Sequence, residues 1–358
     1  MSTQLEVRPQ KSNFFRRHER LTLCLVNLFF LLLLLAAGEI VTRHLTHYEI
    51  GYYTAPPTKN GLNHYPWGSV PINSLGFADE EFNLNGTKPR VGWFGDSVNG
   101  GLGAGYPYRI SDLIRQQFPN LDNWNTGGRF GSEFEAADWE KAATDLHLNT
   151  VVYVMNLNDI LPALESESAS GQAVYRLSTF TRGYLDVLRD KSYLYNYLRM
   201  TIKNAMQRLG FEASGYYAYE LWPDQADHVF KYFAGRVNET FHHLRQKGVQ
   251  MCVLISPYEM QVSDDAARTY AKLGFKWEDG FLQGSAQKKV MQYLDKDLPV
   301  YDGLDAFPNH DAKVGSLFVY NEGDKIDWNH PNRAGHAALA KGFSESKSCP
   351  FLKQADAR

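Results

Sequence analysis

Polar and apolar residues are unevenly spread along the chain. Residues 1–20 are polar and carry Arg8, Lys11, Arg16, Arg17 and Arg20. The next stretch, Leu21–Ala37 (LTLCLVNLFFLLLLLAA), contains no charge. As a helix it spans roughly 25 Å, and nearer 30 Å if it continues through Val41. A soluble helix without a polar face would need protein on every side, so the pattern predicts a membrane segment over 21–41. Arg16, Arg17 and Arg20 lie just before it, with Arg8 and Lys11 further back, and this basic excess places residues 1–20 in the cytoplasm and the rest of the chain across the membrane, in the periplasm or outside the cell. Two readings compete for this segment: an uncleaved anchor, and a signal peptide cut near LAAGE. The run exceeds a usual signal core and Leu35 spoils the small-residue cleavage site, which favours the anchor.

Residues 43–88 show little periodicity and are punctuated by Pro56, Pro57, Gly61, Pro66, Gly68 and Pro71, the pattern of a stalk or linker. From residue 89 onward short β-branched and aromatic runs alternate with helical spacing. The runs Arg90–Phe94, Asn123–Thr126, Thr150–Met155, Gln250–Ile255 and Pro299–Tyr301 read as strands buried on both faces. Between them, Ser132 and Glu135 form a capping box before AADWEKAATDL. Val229, Phe230, Phe233, Val237, Phe241 and Leu244 recur at helical spacing within Asp224–Lys247, which Gly248 ends. Pro331 fits the first turn of a last helix. Alternating strands and helices predict a three-layer α/β/α sandwich on a parallel sheet, with one domain over 89–358. The connection from Leu161 to Lys247 exceeds what one crossover helix needs and predicts a helical insertion at about 161–247. Within it, Tyr216, Tyr217, Tyr219 and Trp222 would suit a sugar platform or a lid packed on its own domain.

A formal net charge of −3 gives no reason to expect nucleic acid as a partner. The three cysteines are Cys24, inside the apolar run, Cys252 in a predicted core strand, and Cys349. The last two could pair outside the cytoplasm or stay free. No cysteine or histidine spacing suits zinc, and adjacent His242 and His243 point apart on a helix, so no metal or organic cofactor is expected.

The chemistry concentrates at strand ends. VGWFGDSVNG, Val91–Gly100, stops an apolar strand at Gly95-Asp96-Ser97, where a turn can display either a nucleophile or an ordinary serine. Far downstream, IDWNHPNRAGH holds Asp327 and His330 three residues apart. A serine hydroxyl needs a base to take its proton, and a carboxylate fixes that base's tautomer. Asp327 could equally cap a helix whose His330 is a surface residue. NTGGRFGS follows the second predicted strand and MNLNDI the third. A glycine N–H and an asparagine amide are suitable donors to an oxyanion, and in an open parallel sheet such groups gather at the C-terminal strand ends.

These four blocks, in this order, resemble the SGNH or GDSL-type hydrolases. Gly95-Asp96-Ser97 matches the first block and Asn158-Asp159 the third. Asp327-x-x-His330-Pro-Asn matches the last. The glycine of the second block is Gly131, with Gly128 open because NTGGRFG carries one residue more than the usual Asn-x-Gly-x-x-Gly. INSLGFADEEF, Ile72–Phe82, is similar to a segment of membrane-anchored bacterial members. Asn99 stands where many members have Thr, which bears on the loop after Ser97.

The resemblance implies a flavodoxin-like sheet and an acyl-enzyme mechanism. Ser97 would be the nucleophile, His330 the base and Asp327 its orienting carboxylate, with Ser97 N–H, Gly131 N–H and the Asn158 amide around the oxyanion. It implies an esterase or O-acyltransferase acting on acyl groups, acetyl foremost, of cell-envelope glycans or lipids, with a membrane-bound O-acyltransferase as a partner. The alternative is a non-catalytic binding or scaffold subunit on the same fold. His336, inside the last helix, reads as structural.

Overall fold

A computed structural model of the chain describes residues 18–45, 62–65, 68–127, 135–160, 188, 192–195, 197–198, 201, 219–272, 275–321 and 325–355. The apolar run forms one helix, α1 (Glu19–Leu45). It is long and apolar enough to cross a membrane, and the stretch that qualifies is not buried by the rest of the protein. A two-stranded antiparallel hairpin follows, β1 (Leu62–Tyr65) with β2 (Gly68–Pro71).

The α/β domain is built on five parallel strands: β3 (Arg90–Gly95), β4 (Asp122–Asn125), β5 (Thr150–Asn156), β6 (Gln250–Ser256) and β7 (Val300–Asp302). They coincide with the five runs expected from the sequence to within one residue at each end. Their order, β4-β3-β5-β6-β7, is the doubly wound order 2-1-3-4-5, whose direction of winding reverses between β3 and β5. A further antiparallel pair, β8 (Phe318–Asn321) and β9 (Lys325–Pro331), stands apart from the sheet.

Between the strands run helices α2 (Ser97–Gly100), α3 (Ile110–Gln117), α4 (Ala136–Asp145), α5 (Asp227–Gln246), α6 (Glu259–Val262), α7 (Asp264–Lys272), α8 (Ser285–Tyr293), α9 (Arg333–Ser346) and α10 (Pro350–Ala355). They cover both faces of the sheet because the strand side chains alternate. Phe94, Val151, Tyr153, Met155, Val253 and Ile255 face the layer that includes α4, α5 and α8. Trp93, Val152, Val154, Cys252 and Leu254 face α3, α9 and α10. The apolar positions expected on α5 are all buried, so α5 is the crossover helix that feeds β6. Residues 161–187 and 202–218 of the long connection, with Tyr216 and Tyr217, lie outside the described residues. Tyr219 and Trp222 pack against the core.

Two helix starts differ from expectation. α4 begins at Ala136 with Glu135 in the cap position, and Glu135 makes no side-chain cap bond; Ser132 lies outside the described residues. Pro331 closes strand β9 instead of opening a helix, because Asn332 caps α9 by accepting the N–H groups of Ala334 and Gly335.

Part of the expected stalk packs against the domain. Asn73 Oδ1 accepts the N–H groups of Leu75 and Phe77, closing a tight loop. That loop delivers Phe77 onto Phe82 and Phe82 onto Trp124 of β4, with ring centroids 5.5 and 4.7 Å apart. Asp79 is fully buried and accepts from Arg109, from Arg115 and from the Asn125 N–H. On the opposite layer a disulfide joins Cys252 to Cys349, with Cα atoms 5.8 Å apart, so the C-terminal segment is tied to the middle of the sheet.

Candidate active site

The site forms where the sheet reverses direction. β3 ends at Gly95, whose φ of +152° is open to glycine. A Cβ there would stand 2.5 Å from the Val154 carbonyl oxygen of β5 and 2.9 Å from Asn99 Cβ, so no other residue lets the strand turn so close to its neighbour. Asp96 then caps α2: its Oδ1 accepts the Val98 N–H at 3.0 Å, and its Oδ2 accepts the Ser97 hydroxyl at 3.3 Å. Ser97 opens that short helix.

Three side chains distant in sequence meet here. Ser97 Oγ lies 2.7 Å from His330 Nε2. His330 Nδ1 lies 2.7 and 2.8 Å from the two carboxylate oxygens of Asp327. The Asp327 carboxylate also accepts the His330 N–H at 3.3 Å. With Nδ1 protonated toward Asp327, Nε2 is left as the acceptor facing the serine hydroxyl. Burial disfavours protonation of His330, but the charge and hydrogen bonds of Asp327, with the charge of Asp96, outweigh it and hold the pKa above its ordinary 6.5. Burial pushes the Asp96 carboxyl up, against the opposing pull of the Val98 N–H, the His330 charge and the Ser97 hydroxyl.

Asp327 and His330 sit on strand β9 and not at the start of a helix. The strand is held from behind. Asn332 Nδ2 donates to the carbonyls of Gly315, Ser316 and Phe318, at 3.1, 3.1 and 3.2 Å. The turn after α2 comes against it at Gly103 (φ +97°), where a Cβ would stand 2.3 Å from the Pro331 carbonyl oxygen. His336 lies in the first turn of α9, fully buried, with Nδ1 accepting the Ile110 N–H at 3.3 Å. Burial first, then the charges of Arg109 and His330, lower its pKa to about 3. It is a neutral strut between α9 and α3.

Asn158 lies on a single turn, Leu157–Ile160, directly after β5. β3 and β5 are neighbours, with Gly95 opposite Val154, so Ser97 and Asn158 leave adjacent strand ends. Asn158 Oδ1 is buried and accepts no hydrogen bond from the described residues. Gly131 and Gly128 both lie outside the described residues. Among the described residues no cluster of histidine, cysteine and carboxylate suits a metal ion.

Asp159 and Asn99 shape the site through bonds that the sequence does not reveal. Asp159 Oδ2 accepts the Tyr153 hydroxyl at 2.6 Å and the Asn156 N–H at 3.1 Å, which fixes the turn bearing Asn158. Burial and then the charge of Asp96 push its carboxyl well above the usual carboxylate range. Asn99 is buried and braces the serine turn. Its Nδ2 donates to the Trp93 carbonyl at 2.9 Å, and its carbonyl accepts from Asn125 Nδ2 at 2.8 Å. Asn125 Oδ1 in turn accepts the Gly127 N–H at 2.6 Å, so one amide pair ties the ends of β3 and β4 together.

No protein-family model and no curated protein matches the chain. Solved structures do. A structure assigned to the lipolytic proteins of the G-D-S-L family, from Desulfitobacterium hafniense DCB-2, aligns at 10% identity and a TM-score of 0.36, over 72% of this chain and 99% of that one. Est24, a carbohydrate acetylesterase from Sinorhizobium meliloti, aligns at 12% identity and 0.35, over 72% and 98%. The salicylyl-acyltransferase SsfX3 from a tetracycline biosynthetic pathway aligns at 11% and 0.33, over 74% and 56%. Likeness at this distance concerns the course of the chain and says nothing of substrate.

Proposed function

We propose that the chain is a membrane-anchored serine esterase or O-acyltransferase acting on ester-linked acyl groups, acetyl foremost, of cell-envelope glycans or lipids. The observation that carries the reading is the hydrogen-bonded chain Ser97–His330–Asp327, with both links at 2.7 Å. Hydroxyl, imidazole and carboxylate in this sequence constitute a nucleophile, its base and the group that orients the base.

In this mechanism Ser97 Oγ attacks the ester carbonyl while its proton passes to His330 Nε2. Negative charge develops on the carbonyl oxygen, where the Ser97 N–H, the Asn158 amide and the Gly131 N–H are assigned as donors. Collapse expels the alcohol, which takes the proton from His330 and leaves an acyl-serine. Water ends the cycle as hydrolysis, and a second hydroxyl ends it as transfer. In either case His330 takes the incoming proton and returns it to Ser97. Asp327 keeps Nδ1 protonated and offsets the imidazolium charge in each half. Asp159 and Asn99 act through the turns they hold and touch no reacting atom.

The setting rests on two features. α1 is long and apolar enough for an anchor, the basic residues before it favour a domain on the non-cytoplasmic side, and the Cys252–Cys349 bond fits an oxidising compartment. A membrane-bound O-acyltransferase is the partner that would supply acyl groups if the chain transfers. Mass spectrometry of surface glycans and lipids tests the assignment. Cells with the wild-type gene should differ in ester-linked acyl content from cells lacking it, and Ser97→Ala should match the deletion. Identical acyl profiles in all three would overturn it.

A further inference from the structure

The outer end of α1 is bonded to a segment some 150 residues further along. Glu39 accepts the Ser192 hydroxyl at 2.8 Å and the N–H groups of Tyr193 and Leu194 at 2.9 and 3.0 Å. Ser192 Oγ accepts the Tyr195 N–H at 3.0 Å. Residues 193–195, 197–198 and 201 are helical, and the Thr201 hydroxyl donates to the Tyr197 carbonyl one turn back. The N–H groups of a first helical turn have no partner within the helix. Here the first two are met by a carboxylate from α1 and the third by the capping serine. Arg43 holds the same carboxylate at 3.1 Å and lies 5.2 Å from the centroid of the Tyr193 ring. Gly38 faces Leu194, and a Cβ at 38 would stand 3.1 Å from Leu194 Cδ2.

Leu194, Tyr197, Leu198 and Thr201 fall at i, i+3, i+4 and i+7, one face of a helix. That face begins against α1 at Leu194. One turn on, Tyr197 is 41% exposed and Leu198 47%, and Leu188 just ahead of the segment is 45% exposed. Outside α1, the other large apolar side chains this exposed among the described residues are Leu75, Leu84 and Tyr108, each on a different loop. Among the described residues, Tyr197 and Leu198, with Leu188 nearby in sequence, are exposed together where the chain is fastened to the membrane helix.

We propose that the segment bearing Leu188, Tyr197 and Leu198 is a membrane-interface element, seated in the headgroup zone of the leaflet from which α1 emerges. The proposal rests on α1 spanning the membrane. The occupant is the bilayer, because the apolar face continues from the surface of the span itself and Glu39 with Arg43 belongs to the span's last turns, at interface depth. A tyrosine beside leucines on a face anchored at that depth is the composition such interfaces select. The span and this element together would hold the α/β domain at a fixed height over the membrane surface, within reach of esters borne on lipids or lipid-linked glycans.

The test uses the full chain with Cys24→Ser, which leaves Cys252 and Cys349 paired, in phosphatidylcholine–phosphatidylglycerol vesicles. Single cysteines at Tyr197→Cys, Leu198→Cys, Leu32→Cys and Lys296→Cys carry an environment-sensitive fluorophore. Phosphatidylcholine spin-labelled near the headgroup should quench emission at 197 and 198. A spin label near the chain end should quench best at 32, in mid-span, and 296 should lose nothing. Adding Glu39→Gln should weaken quenching at 197 and 198 and leave 32 unchanged. If 197 and 198 behave like 296 while 32 is quenched, the interface element is refuted and the anchor stands. If 197 and 198 are shielded from a water-soluble quencher yet untouched by spin-labelled lipid, protein covers them, a second copy for instance, and the proposal is wrong. If 32 is not quenched, the anchor fails and the proposal falls with it.

Discussion

Replacing Asp79 with Asn probes the point where the segment before the domain is locked to it. The Asp79 carboxylate is fully buried between Arg109, also fully buried, and Arg115, whose side chain is 24% exposed. It also accepts the Asn125 N–H at 2.6 Å. An Asn of the same shape keeps one acceptor oxygen but turns an amide N–H toward the guanidinium donors and removes the negative charge. Removing one partner from a buried ion pair costs about 3–5 kcal/mol. Arg109 retains Asp112, at 2.7 and 2.8 Å, and Arg115 retains the Asn123 carbonyl and contact with water, so the expected loss is about 2–4 kcal/mol. Urea unfolding of the full chain in detergent, followed through tryptophan emission, reads it directly because Trp124 stacks on Phe82 beside the network. The midpoint should fall without a change in slope. Lys141→Ala, which breaks the exposed ion pair between Lys141 and Asp145, should leave the midpoint in place. A loss below about 1 kcal/mol for Asp79→Asn would mean that the network is not load-sharing in the way its burial implies.

Further outcomes follow from the site and its supports. The rate on an aryl ester should rise with pH along a limb centred above 6.5, since His330 must be neutral to act and its pKa is raised. Asp327→Asn should move that limb down and slow turnover, and an unmoved limb would contradict the role given to Asp327. The same raised pKa makes His330 stabilising below 6.5, a contribution lost as pH rises through its folded value. His336 works the other way: with a folded pKa of about 3, its contribution is complete above 6.5 and is lost as pH falls toward 3, by roughly 2 kcal/mol at pH 5. The change in unfolding free energy from pH 7 to pH 5 includes the opposite contribution of His330, so the His336 part is read as the difference between wild type and His336→Gln: the variant, if it folds, should lose roughly 2 kcal/mol less. Cys252→Ser with Cys349→Ser opens a bridge between residues 97 apart and should cost about 4–5 kcal/mol, seen as a lower melting temperature under non-reducing conditions; an unchanged melting temperature would refute that contribution.

The sheet was legible because strands buried on both faces must be apolar throughout. Val151 to Met155 and Met251 to Ile255 can be little else, and their glycine and asparagine boundaries mark where they stop. Ser97 and Asn158 were legible as residue types at strand ends, and Asp327 with His330 as a pair three apart ahead of the last helix. The element carrying Asp327 and His330 was not. KIDWNHP has no clean alternation, its strand is held by Asn332 side-chain bonds to a loop well upstream, and Pro331 mimics a helix start. Asp159 and Asn99 stood out in the sequence, but the bracing they provide did not, for a related reason: their partners, Tyr153 and Asn125, are set by the fold and not by spacing. The packing of Phe77 and Phe82 was masked by the glycines and prolines around them, which read as linker until Trp124 is brought alongside. The bond from Glu39 to Ser192 joins residues 153 apart through a backbone helix start, which leaves no periodic trace.

The proposed chemistry requires Ser97 to be an activated nucleophile. A fluorophosphonate probe, applied to the full chain in detergent and mapped by peptide mass spectrometry, measures this most directly. The predicted result is one adduct, on Ser97, formed by wild type and abolished in a His330→Ala variant that still shows the wild-type melting profile. Labelling of Ser97 that is indifferent to His330, labelling elsewhere, or no labelling of folded wild type while a control serine hydrolase reacts would contradict it.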